Sequence, residues 1–554
     1  MAQNKTAGRR LIEPLATASR IIVATSAANL RTFSALKHPV VWALAPFIGA
    51  FVALAAILFR EGIGLVQLLW LGTRSETVVT AAASIPWYWV VAAPCAGGLA
   101  VGLILQFLQP MQRTYSVADV IEARARGGEG LPFWAGISSA LITMLSLGSG
   151  ASAGREGPVV HLGATIGTAL CKAFNLPHSA RRLLLACGVA SAVSASFNAP
   201  IAGVLFAHEV ILGHYALSAI GPIAVSAVVG TLLTRLWFGD VAAFVIPGHQ
   251  ITSYLELPAF ALLGLTCAVV AILLQFALIG TDWVARHIHM PTWARPMVGG
   301  AAVGTIALAY PEILGVGYET TDDALKNNLP LDLMLTLLVV KTAATAITLA
   351  SRFGGGIFSP SLYLGAMTGG AFGLIAASAF PELASSEGLY SILGMGAVAA
   401  AVLGAPVSTT MIVFELTGGY ALSIALLLTV SIATGLTQAI HGKSFFVWQL
   451  EMRGLSLGSG SHTYFRDRAR VSDFMEPLPE DMSNELSAHA NSASALQTTD
   501  TLTKALRSFD ESGASVLPVV APSTPDVVIG LARHVRALGH FNKALIEESE
   551  EAHR

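Results

Sequence analysis

The chain has 554 residues, of which 54% are apolar and 12% charged; its mean hydropathy is +0.65 and its net charge −2. Soluble domains carry about a quarter charged residues, so a soluble globular protein is excluded, and the near-neutral balance argues against a nucleic-acid partner. The four cysteines (Cys95, Cys171, Cys187, Cys267) lie in apolar segments without metal-ligand spacing and read as small core residues.

Residues 1–39 form a basic arm, with Lys5, Arg9, Arg10, Arg20, Arg31 and Lys37 against Glu13. It lacks the pattern of a signal peptide, and its charge predicts a cytoplasmic N-terminus. Residues 40–455 hold apolar runs at or near spanning length: Val40–Phe59, Pro86–Phe107, Phe133–Leu147, Ala216–Leu236, Pro258–Ile279, Leu331–Ala350 and Ala421–Ile440. A span needs roughly 20 such residues, so the expected fold is an all-α polytopic membrane domain. A polar linker is expected at 456–470, followed at 471–554 by a small cytoplasmic α/β unit. Within that unit Leu502–Asp510 and Val535–Glu551 read as helices, and Ser515–Val520 and Val527–Leu531 as strands.

Several apolar stretches are broken by Gly and Pro, and the breaks repeat. Pro158-x3-Leu162-Gly163-Ala164-x2-Gly167 matches Pro360-x3-Leu364-Gly365-Ala366-x2-Gly369. Ala199-Pro200-x8-Glu209 matches Ala405-Pro406-x8-Glu415. Duplicated halves with paired broken helices predict a binding site where the halves meet.

The chemistry concentrates at these breaks. Backbone N–H groups at a helix N-terminus hold an anion without a buried cation, provided glycine lets the backbone approach. Gly154-Arg155-Glu156-Gly157-Pro158 and Gly354-Gly355-Gly356-Ile357-Phe358-Ser359-Pro360 both meet that need, at equivalent places in the repeat. Glu156 sits inside the first cradle. An acid at membrane depth marks an ion or proton path, and this one competes with the anion it guards; protonation would release it. A structural ion pair with Arg155 is the bland alternative. No nucleophile–base pair or metal spacing supports an enzyme, and no cofactor is expected. A sodium-coupled or organic-solute transporter would need an intramembrane carboxylate cluster beyond Glu156, Glu209 and Glu415.

These motifs resemble the CLC family of chloride channels and chloride/proton antiporters. Gly154–Pro158 is similar to its GREGP motif and Gly356–Pro360 to its GxFxP motif; Phe197-Asn198-Ala199-Pro200 and Phe414-Glu415-Leu416-Thr417 also fit. The resemblance covers roughly residues 40–455. It implies two inverted halves and a homodimer in the cell (inner) membrane with one anion pore per subunit. It also implies cytoplasmic termini, chloride as the transported ion, protons as the gating ligand and a gate at Glu156. The anion would be held around Gly154, Arg155, Gly157, Gly356, Ile357 and Phe358.

Three departures bear on mechanism. The family's serine hydroxyl falls at Tyr115, or at Ser116 if the register slips by one, and the second hydroxyl is replaced by Phe446. Tyr115 is therefore expected either to coordinate the anion or to plug the inner vestibule. After the second motif, Glu209 matches the first acid of the antiporters and Val210 their internal proton acceptor. Valine binds no proton, so the resemblance leans towards a passive, Glu156-gated channel, with an antiporter of weak or rerouted coupling as the alternative. His208 is a candidate relay or a packed histidine. The C-terminal unit resembles one CBS repeat, with Val471–Met475 as its entry strand, which implies pairing across the dimer. The family's ribose-contacting aspartate is absent at Val535, which argues against nucleotide binding.

Overall fold

The computed structural model describes residues 38–126, 131–239, 251, 253–382, 384–417, 422–455, 469–478, 495–522 and 524–542. The expected basic arm and the linker lie almost wholly outside these residues.

The first half runs α1 (His38–Leu71), α2 (Val78–Ala83), α3 (Trp87–Phe107), α4 (Val117–Ala125), α5 (Phe133–Gly148), α6 (Glu156–Ala173), α7 (His178–Phe197), α8 (Pro200–Phe206) and α9 (Leu217–Phe238). Helix α8 continues as a π-helical turn, Ala207–Leu212. The second half runs α10 (Leu257–His287), α11 (Ala294–Ala307), α12 (Tyr318–Leu325), α13 (Leu331–Ala350), α14 (Phe358–Ala379), α15 (Glu387–Leu403), α16 (Pro406–Thr417), α17 (Ser423–His441) and α18 (Phe445–Glu451). Eight helical segments among the described residues are long and apolar enough to cross a membrane. Helix α1 outruns its predicted stretch because Arg60 and Glu61, which end the apolar run, find partners on Glu76 and Trp237.

The halves meet through reciprocal contacts, as a two-fold relation requires. The Gly154 N–H donates to Gly356 O and the Gly356 N–H to Gly154 O, both at 2.7 Å. Ser146 Oγ accepts from the Gly354 N–H, and Thr348 Oγ1 from the Ser152 N–H. Glu209 accepts from the Val407 and Ser408 N–H groups at 3.0 and 2.7 Å; Glu415 accepts from those of Ile201 and Ala202 at the same distances. Each acid thus caps the helix that carries its counterpart, satisfying N–H groups that a helix start leaves unpaired.

Helices α3 and α11 pack by the same symmetry. A Cβ at Gly300 would lie 2.0 Å from Pro94 O, and one at Gly98 2.2 Å from Pro296 O. Apolar burial gives little drive between helices in lipid, so such close backbone approach supplies the attraction.

Beyond the membrane domain a four-stranded sheet has the order β1-β4-β3-β2. Its strands are β1 (Glu476–Pro477), β2 (Leu496–Gln497), β3 (Val516–Ala521) and β4 (Thr524–Arg533). Helix α19 (Leu502–Ser512) packs on it through Leu502, Ala505 and Phe509. This mixed sheet is consistent with a CBS-like unit. The expected entry strand at Val471–Met475 differs: Val471–Asp473 is a 3-10 turn, drawn in by Asp473, which accepts from the Arg470 N–H at 2.8 Å.

Candidate anion site

The two glycine cradles open helices α6 and α14, whose N-termini sit side by side across the Gly154–Gly356 bridge. Glu156 begins α6 and is 1% exposed. Its Oε1 accepts hydrogen bonds from the Tyr318 hydroxyl at 2.8 Å and the Ser359 hydroxyl at 2.6 Å. Among the described residues its Oε2 has no hydrogen-bond partner, and it lies 2.8 Å from where a Gly154 Cβ would stand. Any side chain at 154 would therefore displace the carboxylate. Arg155 does not pair with Glu156; it binds Glu76 at 2.6 Å and lies 4.6 Å over the Tyr318 ring. The arginine so braces the ring whose hydroxyl holds the acid.

Two cavities approach this acid. One, of about 440 Å³, is lined by Ser116, Val117, Glu156, Gly157, Gly356, Ile357, Phe358 and Phe446. The other, of about 610 Å³, is lined by Glu76, Arg155, Asn198 and Tyr318. Glu156 belongs to the first and Tyr318 to the second, so their hydrogen bond is a partition between them. Phe197 lines both, and its ring stands 5.0 Å from that of Phe358.

The structure places the hydroxyl candidates differently from the ungapped register. Tyr115 turns away from the cavity: its ring stacks on His161 at 5.0 Å, and its N–H donates to Ser139 Oγ. Ser116 lines the cavity as the N-cap of α4, where Asp119 accepts from its N–H at 2.8 Å. That capping box sets the start of the helix and leaves position 116, not 115, on the cavity wall. Phe446 lines the same wall without a hydroxyl.

The residues around Val210 lie elsewhere. Val210 packs against the apolar core. Glu209 is engaged with α16 as described. His208 is buried, stacks on Tyr215 and shares a hydrogen bond of 3.0 Å between Nδ1 and His214 O. The π turn holding all three widens the helix locally, a distortion found often at functional sites.

Sequence reasoning missed Tyr318, Ser359 and Glu76. The repeat carried a signal for the first. From Pro158 to Pro360 is an offset of 202 positions, and the same offset takes Ser116 to Tyr318. Both halves thus set a hydroxyl residue at the start of a short helix on a cavity wall.

Paired helix N-termini around a buried, hydrogen-bonded carboxylate, in a duplicated bundle of spans, define a membrane protein built to handle anions. The sequence profile described as Voltage gated chloride channel matches residues 97–438, and the chain belongs to that family. It is 33% identical over 390 residues to a putative chloride channel protein ClcB-like of Ralstonia nicotianae, covering 70% of this chain and 91% of the relative. It is 30% identical over 410 residues to the voltage-gated ClC-type chloride channel ClcB of Escherichia coli, covering 73% and 97%. In fold it is similar to a slow cyanobacterial Cl⁻/H⁺ antiporter, with a TM-score of 0.66 at 21% identity over 74% of this chain and 97% of that one. A CLC-type fluoride/proton antiporter gives 0.60 at 20% identity, with the same coverage.

Proposed function

We propose that this protein moves chloride or similar monovalent anions passively across the cell membrane, with Glu156 as the gate. The supporting observation is the partition. A single carboxylate occupies the cradle between two cavities, held there by Tyr318 and Ser359. An ionised Glu156 fills the place an anion would take. A neutral one loses its charge-assisted bonds, which are roughly twice as strong as neutral ones, and yields the cradle. Ser116, Gly157, Gly356, Ile357 and Phe358 then face the anion, with Phe446 as an apolar wall. Val210 offers no proton site, which favours gating without coupling. In this reading the protein acts as a homodimer with cytoplasmic termini, each subunit holding its own pore, and residues 471–554 form a separate unit with no nucleotide role.

Chloride efflux from proteoliposomes, clamped with a potassium ionophore, tests the gate. Protonation opens it, so the rate should rise as the pH is lowered. A rate that stays flat or falls on acidification would overturn the reading.

A further inference from the structure

Among the differences between the turn before the second cradle and its duplicate, one falls where the backbone is left-handed. With the halves aligned through Pro158 and Pro360, Gly150 corresponds to Arg352. Both adopt left-handed backbone, with φ +101° at Gly150 and +67° at Arg352. Glycine takes that conformation freely, whereas a residue with a Cβ meets steric strain. Non-glycine residues held in this region tend to gather where function requires them.

The Arg352 side chain explains its presence. It lines the 440 Å³ cavity beside Arg286 and Arg295. Its Nη1 donates to Gln112 O at 3.1 Å, and Gln112 is itself left-handed, with φ +50°. Arg295 donates to two backbone carbonyls, Ile288 O at 3.0 Å and Met290 O at 3.4 Å. Arg286 pairs with Asp282 at 2.8 Å, and Asp282 lines the same cavity. Among the described residues, Arg286 is thus paired with a carboxylate while Arg352 and Arg295 bind backbone carbonyls; Arg113, Arg453 and Glu156 line the same cavity. Burial, then the Arg295 charge, hold Arg352 below the ordinary guanidinium value, against the pull of Asp282. A concave wall with surplus charge of one sign focuses its field and concentrates the opposite ion.

We propose that Arg352, with Arg295 and Arg286, forms an anion-capture site at the mouth of this cavity, separate from the cradle at Glu156. It holds one monovalent inorganic anion and hands it to the pore. The inference rests on the reading of this cavity as an anion pathway, and it adds a second binding place and a reason for the strained arginine.

Arg352→Gly is the decisive variant, because it restores the residue of the duplicate and relieves the backbone. Chloride flux is measured against chloride concentration at low and at high ionic strength. The half-saturating concentration should rise about threefold to tenfold in Arg352→Gly at low ionic strength. The difference should shrink in high salt, where charges are screened within about one Debye length. Arg295→Gln should act in the same direction. Thermal stability should be equal or higher, and the pH dependence assigned to Glu156 should persist. An unchanged half-saturating concentration in a folded Arg352→Gly protein would overturn the site. So would a marked loss of stability, which would make the arginine a structural strut. Bromide titration of the purified protein gives a reading independent of transport: Arg352→Gly should lose one binding step that Glu156→Gln retains. Retention of every step in Arg352→Gly would refute the site even if the transport reading stood.

Discussion

Chloride flux through Glu156→Gln is expected to lose its pH dependence and to exceed the native rate at neutral pH by about tenfold or more, since each 1.4 kcal/mol removed from the closed state is worth about a factor of ten. The reason lies in what holds the native acid. Glu156 Oε1 accepts from two hydroxyls, and its charge makes both bonds stronger. Glutamine keeps an oxygen for those donors but carries no charge to compete with an anion. Glu156→Ala should go further, leaving the cradle without an occupant of its own. Efflux recorded from pH 4 to 8 checks this. A steep pH profile surviving in either folded variant would place the gate elsewhere.

Removing the donors should open the same gate from the other side. In Tyr318→Phe and Ser359→Ala the acid stays but loses one hydroxyl each. A hydrogen bond to a charged group is worth about 1.5–3 kcal/mol, so each variant should shift the closed-to-open ratio by about tenfold or more. The double variant should approach the flux of Glu156→Gln at neutral pH. Coupling is expected between the two, because both hydroxyls reach one oxygen. A fall in flux, or no change, in folded proteins would show that these hydroxyls do not hold the gate closed.

Much of this arrangement is legible in the amino-acid sequence, because lipid leaves few options for the backbone. The run Leu331–Ala350 is a helix over those same residues, and Pro86–Phe107 differs from its helix by one residue. The duplicated motifs foretold the paired helix N-termini, and glycine at 154 and 356 foretold their close approach. What stayed hidden depends on contacts between distant residues. The Tyr318–Glu156 bond joins positions 162 apart, and nothing local marks a tyrosine as facing a carboxylate. The sequence left the hydroxyl position open between Tyr115 and Ser116, because the choice turns on where a helix starts, which the Ser116–Asp119 capping box sets. The pairing of Arg155 with Glu76, rather than with its neighbour Glu156, depends on a loop after α1 whose position no local pattern reveals.

Passive anion movement gated by Glu156 can be checked in proteoliposomes that carry a chloride gradient and no ionophore, with chloride and proton movements recorded together. Chloride flux should set up a membrane potential, without uphill proton movement. Protons driven uphill by the chloride gradient, and abolished in Glu156→Gln, would contradict it and establish coupled exchange.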